Sequence, residues 1–228
     1  IAQSDPANFS TLVAALEKPE LIGLLEAVSN PTSDLTVFDP TNAAFDATLA
    51  ALGKESIDDI PVELLNEIVS YHVLGTAVFS NQLTDGAEVE TLLTGETLTV
   101  TIMGDDIMIN DNVNVGPADI QAVNGVVHVV DGVLLPSFVV TSLGTVAEVV
   151  LFNNPFTILA AALRQADLLE AVATTENITV FAPDNAAFVA AGITSLDDVD
   201  AETLDAVLKY HVLTSIVKSG DIPTNGVV

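Results

Sequence analysis

Histidine is the residue type in this chain best suited to chemistry, and its three copies are His72, His128 and His211. Two histidines three or four residues apart, or a His-Glu-x-x-His motif, would indicate a zinc site. Neither spacing occurs, since the three lie far apart in the sequence. We therefore predict structural histidines, each packed under a sheet with one ring nitrogen hydrogen-bonded to a backbone carbonyl or a hydroxyl, and no metal or cofactor site.

Other reactive patterns fail on their spacing. The segment Asp111-Asn112-Val113-Asn114 has calcium-ligand residue types, but its third position is Val and no Glu stands at the twelfth, so a hairpin turn explains it better. The chain has no Gly-x-Ser-x-Gly elbow and no phosphate-binding glycine loop. It also lacks cysteine, which excludes thiolate chemistry and disulfides. An enzyme is not expected.

The charge balance restricts the partners. Five Lys and Arg stand against 32 Asp and Glu, a net charge of −27 that repels nucleic acid and anionic membrane surfaces. The apolar runs are far shorter than the ~20 residues that cross a bilayer, so direct membrane insertion is not expected. Such acidity fits a halophilic or marine exterior, where salt screens the charge and calcium binds diffusely; a merely soluble acidic surface is the alternative.

A long internal repeat organises the chain. The segment 35–45, LTVFDPTNAAF, returns at 178–188 as ITVFAPDNAAF, and the LLEAV of 24–28 returns unchanged at 168–172. The Tyr71-His72 pair returns as Tyr210-His211. A repeat of this length indicates two whole domains, each with its own core. We predict domain 1 over residues 1–140 and domain 2 over residues 141–228.

Each copy opens with helical patterns. Apolar residues recur three and four positions apart, which predicts three amphipathic stripes in copy 1: Phe9, Leu12, Val13 and Leu16; Leu21, Leu24, Leu25 and Val28; Leu65, Ile68, Val69 and His72. Between them, Leu35–Phe38 predicts a short strand, and Thr41 or Asn42 can cap the helix that follows.

From Val78 onward the pattern predicts strands separated by turns, in the form of a β-meander. Asn124-Gly125 is the strongest hairpin signal, because both central positions of a type I′ turn favour positive φ. Helices followed by strands predict an α+β domain.

With these motifs the chain resembles the fasciclin-domain family. The segment 36–45 is similar to the family's first motif, Tyr71-His72 to its central pair, and the segment 124–131 with His128 to its second motif. The resemblance implies a wedge of helices packed on a small β-sandwich, in two tandem copies. It also implies secreted or cell-surface adhesion without catalysis.

Two departures from the family pattern stand out. Asp39 replaces the alanine usual before the motif's proline, which Ala182 keeps in copy 2, and we expect only a change of surface charge. Copy 2 stops before a counterpart of residues 90–136, so its second motif and most of its sheet are missing from the sequence. We expect either further residues or a partner chain to cover its apolar stripe.

The resemblance also suggests contact residues. Animal relatives have integrin contacts proposed at positions that correspond to Tyr71, His72, Asp119 and Ile120, although each also suits a structural role. The set of adhesion or structural candidates is Tyr71, His72, Asp119, Ile120, His128, Tyr210 and His211. The expected function is extracellular adhesion or matrix binding, with a surface protein or glycan as partner through weak multivalent contacts. The alternative is a self-associating subunit of a surface filament or array, completed by strand donation.

Overall fold

The computed structural model of the chain describes residues 5–222 and divides into two compact units, Ile1–Ser137 and Phe138–Val228. Over residues 5–222, unit 1 combines helices with two small sheets, and unit 2 combines helices with one strand pair. The predicted α+β class is confirmed.

The first half of unit 1 is helical, as its apolar spacing predicts. Its four helices are α1 Pro6–Leu16, α2 Ile22–Ser29, α3 Asn42–Ala51 and α4 Val62–Tyr71. Thr41 caps α3, and its hydroxyl accepts a hydrogen bond from the Ala44 amide at 3.2 Å. The stripe on α4 is buried and includes Leu65, Ile68 and Val69. The helices predicted from periodicity are therefore present.

The strands of unit 1 form two four-stranded sheets. Sheet one has the order β2 Val73–Leu74, β1 Leu35–Pro40, β8 Gly125–Val130, β7 Ile120–Ala122. Sheet two is an antiparallel meander of β3 Glu88–Glu90, β4 Thr97–Met103, β5 Asp106–Ile109 and β6 Val113–Asn114. The predicted meander is thus right for β3 to β6 and wrong for β7 and β8. Those two strands join sheet one because β8 pairs in parallel with β1 over its whole length.

The two faces of β1 have different neighbours. Phe38 belongs to the main buried cluster, together with residues of α4, sheet two and β8. The alternate residues Leu35, Val37 and Asp39 share the opposite face, as the two-residue period of a strand requires. One face of sheet one therefore closes the sandwich core, and the other lies against α1 and α2.

The hairpin between β7 and β8 differs from the prediction by one residue. Ala122 pairs with Gly125, so Val123 and Asn124 form the two-residue turn and Gly125 already belongs to β8. Gly125 has φ +148°, and a Cβ there would lie 1.9 Å from the Leu35 carbonyl oxygen. The close parallel approach of β1 accounts for this glycine.

Unit 2 repeats the helical half of unit 1. Its helices are α5 Ser137–Ser142, α6 Val146–Leu151, α7 Thr157–Gln165, α8 Leu169–Thr174, α9 Asn185–Ala190 and α10 Ala201–Tyr210. The strands β9 Thr179–Val180 and β10 Val212–Leu213 pair in antiparallel fashion. Equivalent asparagines connect the helices in both units: Asn42 Oδ1 accepts from Thr11 N at 2.9 Å, and Asn185 Oδ1 from Ile158 N at 3.0 Å.

Candidate functional site

His72 lies at the carboxyl end of α4 and is buried. The Leu134 amide donates to its Nε2 at 2.9 Å, so Nδ1 carries the proton and donates to the Ile68 carbonyl at 2.7 Å. Burial lowers the pKa of His72 to about 4, against an ordinary value of 6.5. The ring is therefore neutral near pH 7 and has no nitrogen lone pair left for a metal or a substrate proton.

Tyr71 precedes His72 and is also buried, with 3% of its surface exposed. Its hydroxyl donates to the Thr97 carbonyl at 2.8 Å and accepts from Asn110 Nδ2 at 3.0 Å. Burial raises the pKa of the Tyr71 phenol. Both hydroxyl partners come from sheet two or the residue that follows β5, so Tyr71 connects α4 to the meander.

His128 lies in the middle of β8 and is fully buried. Its Nδ1 accepts a long hydrogen bond from the Asp119 amide at 3.3 Å, and its Nε2 donates to the Val78 carbonyl at 2.8 Å. Its ring centroid is 5.5 Å from that of Phe38. Both nitrogens of this ring are also occupied by backbone groups.

Asp119 and Ile120 stand where β7 begins. Asp119 has φ +58°, a conformation that Asp adopts more readily than most residues, and Oδ1 of its carboxylate accepts from the Ser80 amide at 2.7 Å. The hydrogen bonds from Ser80 lower the pKa of Asp119. Its side chain is 38% exposed, and Ile120 is half-buried and pairs with Val127. The carboxylate is held by the loop at Ser80 and does not project freely.

The second tyrosine-histidine pair has different surroundings. Tyr210 is 88% exposed, and His211 is half-buried. His211 keeps the hydrogen bond along its helix, from Nδ1 to the Val207 carbonyl at 2.8 Å. The structure thus brings Asp119, Ile120 and His128 together at one edge of sheet one in unit 1. Tyr71 lies beneath sheet two, whereas His72 lies on the side of sheet one that carries Val37 and Asp39. The second pair lies in unit 2.

Asp39 corrects the sequence interpretation. We expected a change of surface charge, but only 2% of Asp39 is exposed, because it lies on the same face of β1 as Leu35 and Val37. Its Oδ1 has no hydrogen-bond partner among the described residues. Burial raises the pKa of its carboxyl to about 7. The signal for this placement was the two-residue period of a strand, because β1 extends as far as Pro40 and therefore includes Asp39.

Within the described residues, no three His, Cys, Asp or Glu side chains converge as a metal site would require. In the same range, no helix is long and apolar enough to cross a membrane. The features that remain are an α+β module carried twice, two buried histidines with both nitrogens occupied, and a buried acid. These features define a domain that occurs twice in the chain and whose buried histidines, in unit 1, hydrogen-bond to the backbone of the domain itself.

Comparison with known proteins agrees with this class. The Fasciclin domain model matches residues 7–136 and 154–228. The chain belongs to the fasciclin-domain family.

Individual relatives cover different parts of the chain. Protein sll1483 of Synechocystis sp. is 38% identical over 129 residues, which are 57% of this chain and 68% of the relative. The transforming growth factor-beta-induced protein ig-h3 of Sus scrofa is 29% identical over 205 residues, 90% of this chain but 28% of that protein. Cell surface glycolipoprotein MPB83 of Mycobacterium bovis is 34% identical over 140 residues, 59% of each. The chain therefore spans about a quarter of the length of the animal relative.

One solved structure is a FAS1 domain pair from the insect cell adhesion molecule Fasciclin I. It is similar with a TM-score of 0.45 and 15% identity, over 88% of this chain and 70% of that one.

Proposed function

We propose that this chain is an extracellular adhesion or matrix-binding module that contacts a surface protein or glycan through weak multivalent interactions. The observation that carries the proposal is the occurrence of two fasciclin domains in one chain. Two linked sites raise apparent affinity without new contacts, because the second binding event is intramolecular. A bacterial relative described as a cell surface glycolipoprotein supports a secreted or cell-surface location.

The motif residues of unit 1 serve the fold in this proposal. Tyr71, His72 and His128 are buried, so a partner could reach them only after the unit opens. Asp119 is engaged by Ser80 and shapes the start of β7. Partner contacts would then lie on the exposed acidic surface, which also holds diffuse calcium at millimolar concentration and repels nucleic acid. Catalysis is not part of this function.

The proposal can be tested by screening the 228-residue chain on glycan and matrix-protein arrays, then immobilising each hit at increasing density for surface plasmon resonance. We expect weak binding at low density and a marked slowing of dissociation at high density. Dissociation that does not change with density would contradict multivalency.

A variant series tests the role of the motif. His72→Ala and Asp119→Asn should reduce attachment only in proportion to the fraction of unfolded protein, measured by circular dichroism on the same samples. A variant that melts like the parent but no longer attaches would show that its residue is a contact.

A second candidate function is a subunit of a surface array. In unit 1, β1 pairs with β2 on one side and β8 on the other, whereas among the described residues β9 pairs with β10 alone. The free edge of β9 could accept a strand from another copy. Light scattering separates the two candidates: the adhesion module stays monomeric, whereas the array subunit forms concentration-dependent assemblies.

A further inference from the structure

Unit 1 contains a cavity of about 220 Å³ between its first two helices and sheet one. The sheet face that carries the odd-numbered residues of β1 forms its floor, and α1 and α2 form its walls. Its apolar lining includes Val13, Leu16, Leu25, Val28, Leu35 and Val37. The cavity reaches the surface where Glu17 and Ala122 are exposed.

The packing of α2 follows from this cavity. Its apolar stripe includes Leu24, Leu25 and Val28, yet none of its residues is fully buried. Close-packed interiors leave few spaces larger than a water molecule. A stripe that borders a cavity of this size offers apolar surface to a molecule inserted between helix and sheet.

Asp39 supplies the buried polar atom of the cavity that lacks a partner. His72 and Asn124 also line it but are hydrogen-bonded to backbone groups, and Glu17 and Ser29 are exposed. Only 2% of the Asp39 surface is exposed, and its Oδ1 has no hydrogen-bond partner among the described residues. An unsatisfied buried polar group is destabilising, so a ligand that hydrogen-bonds to it would be stabilised at this position. Unit 2 has Ala182 at the equivalent position, so this feature belongs to unit 1 alone.

The geometry points to a binding site in unit 1 for a small neutral apolar alcohol, with its chain between α1, α2 and sheet one and its hydroxyl hydrogen-bonded to Asp39. No Lys or Arg lies among the residues that line the cavity, and the chain has a net charge of −27, so an anionic head group is disfavoured. A dry cavity of about 150 Å³ holds benzene, so this one suits roughly nine non-hydrogen atoms. The ligand has one polar end because the cavity has one buried carboxyl oxygen without a partner, that of Asp39.

The test uses 1-octanol, which has this size, and sodium octanoate as the anionic probe of equal chain length. Methyl NMR of the full chain should show saturable binding of 1-octanol at one site, with the shifted signals confined to residues such as Leu25, Val28 and Val37. Octanoate should bind at least about tenfold more weakly at neutral pH, which corresponds to one net hydrogen bond.

Three variants separate the contributions of the cavity and the acid. Val37→Phe fills the floor and should abolish binding, Asp39→Leu should weaken 1-octanol about tenfold, and Asp39→Asn should restore binding to within about threefold. Circular dichroism verifies that each variant is folded, and the unfilled Asp39→Leu cavity should still take up the alcohol weakly.

The proposal is overturned by absence of saturation up to the solubility limit, by shifts centred elsewhere, or by equal affinity in folded Val37→Phe or Asp39→Leu. None of these outcomes depends on attachment to a matrix, so the adhesion proposal is judged separately.

Discussion

Tyr71-His72 and Tyr210-His211 occupy the same place in two copies of one domain but differ in burial. In both units the histidine carbonyl accepts a hydrogen bond at 2.9 Å from a phenylalanine amide, that of Phe38 in β1 or that of Phe181 directly after β9. Yet Tyr71 is 3% exposed and Tyr210 is 88% exposed. The local sequence thus determines the backbone hydrogen bond of the pair. The burial of Tyr71 depends on the strands of sheet two, which lie further along the chain.

The residues around the two pairs show the same combination of equivalent hydrogen bonds and unequal burial. Phe38 is fully buried, and its counterpart Phe181 is 39% exposed. Thr36 and Thr179 nevertheless make equivalent hydrogen bonds, from their hydroxyls to the carbonyls of Thr76 and Ser215, each at 2.7 Å. In the described residues of unit 2, the polar connections between adjacent segments match those of unit 1, whereas Phe181 is less buried than Phe38.

Truncating the two tyrosines should give the largest contrast. Tyr71→Ala removes a buried ring with two hydrogen bonds and should lower the free energy of unfolding by about 3–5 kcal/mol. Tyr210→Ala, the matched control in unit 2, should change it by no more than about 0.5 kcal/mol because the side chain is exposed. Urea denaturation measures both, and similar losses would contradict the contrast in burial.

The pH dependence of unit 1 should contain two opposing contributions from its buried acid and base. Asp39 has a folded pKa of about 7, raised from 3.8, so its contribution to stability is present below pH 3.8 and is lost as pH rises towards 7. His72 has a folded pKa of about 4, lowered from 6.5, so its contribution is present above pH 6.5 and is lost as pH falls towards 4. Between pH 4 and 6.5 the two nearly cancel.

Asp39→Asn removes one of these two contributions and leaves that of His72 unopposed. Between pH 4 and 6.5 the stability of the variant should rise by about 3 kcal/mol relative to the parent, because the variant lacks the Asp39 contribution that the parent loses over this range; urea denaturation measures both. His72, Asp119 and the other carboxylates are common to parent and variant, so their contributions cancel in the difference. A parent and variant with parallel pH profiles would show that Asp39 keeps an ordinary carboxyl environment.

Exchanging Asp39 and Ala182, which occupy the same position in the two copies, should change the free energy of unfolding by a smaller amount. Asp39→Ala removes a buried unpartnered oxygen and should stabilise the protein by about 1–3 kcal/mol at pH 7. The reverse exchange, Ala182→Asp, places the acid at an exposed position and should be nearly neutral. Destabilisation by Asp39→Ala in thermal denaturation would indicate a partner for the carboxyl.

Salt should have the smallest effect of this series and should act on both units. A net charge of −27 opposes compaction, and the Debye length falls to about 3 Å at 1 M salt, so the melting temperature should rise by several degrees between low salt and about 1 M sodium chloride. At a pH near 3, where many carboxylates are protonated, the rise should shrink. An unchanged or lower melting temperature in salt at neutral pH would contradict the saline interpretation.

The helical half of each copy could be predicted from the sequence, because its information is local. The stripe ending in Leu65, Ile68 and Val69 predicts α4, and a side-chain oxygen before the next apolar run predicts the cap at Thr41. The pairing of β1 with β8 could not be predicted, since it joins residues about ninety positions apart and depends on the close approach that Gly125 permits.

The polar candidate residues also combine features that local sequence predicts with contacts that distant segments supply. His72 could be predicted to point inward because it continues a helical stripe, but its second partner, the Leu134 amide, comes from a distant segment. The burial of Asp39 contradicts the expectation from its charge and follows instead the strand alternation that it shares with Val37. Its burial depends on α1 and α2 covering that face of the sheet.

The most direct test of the central contrast uses the two tyrosines of the chain, which contains no tryptophan. The folded protein is treated with tetranitromethane for increasing times, and the nitrated peptides are quantified by mass spectrometry, with urea-unfolded protein as the reference for full reactivity. Burial of Tyr71 beneath sheet two and exposure of Tyr210 predict rapid nitration of Tyr210 and strong protection of Tyr71, which is lost on unfolding. Nitration of both residues at comparable rates in the folded protein would contradict the account.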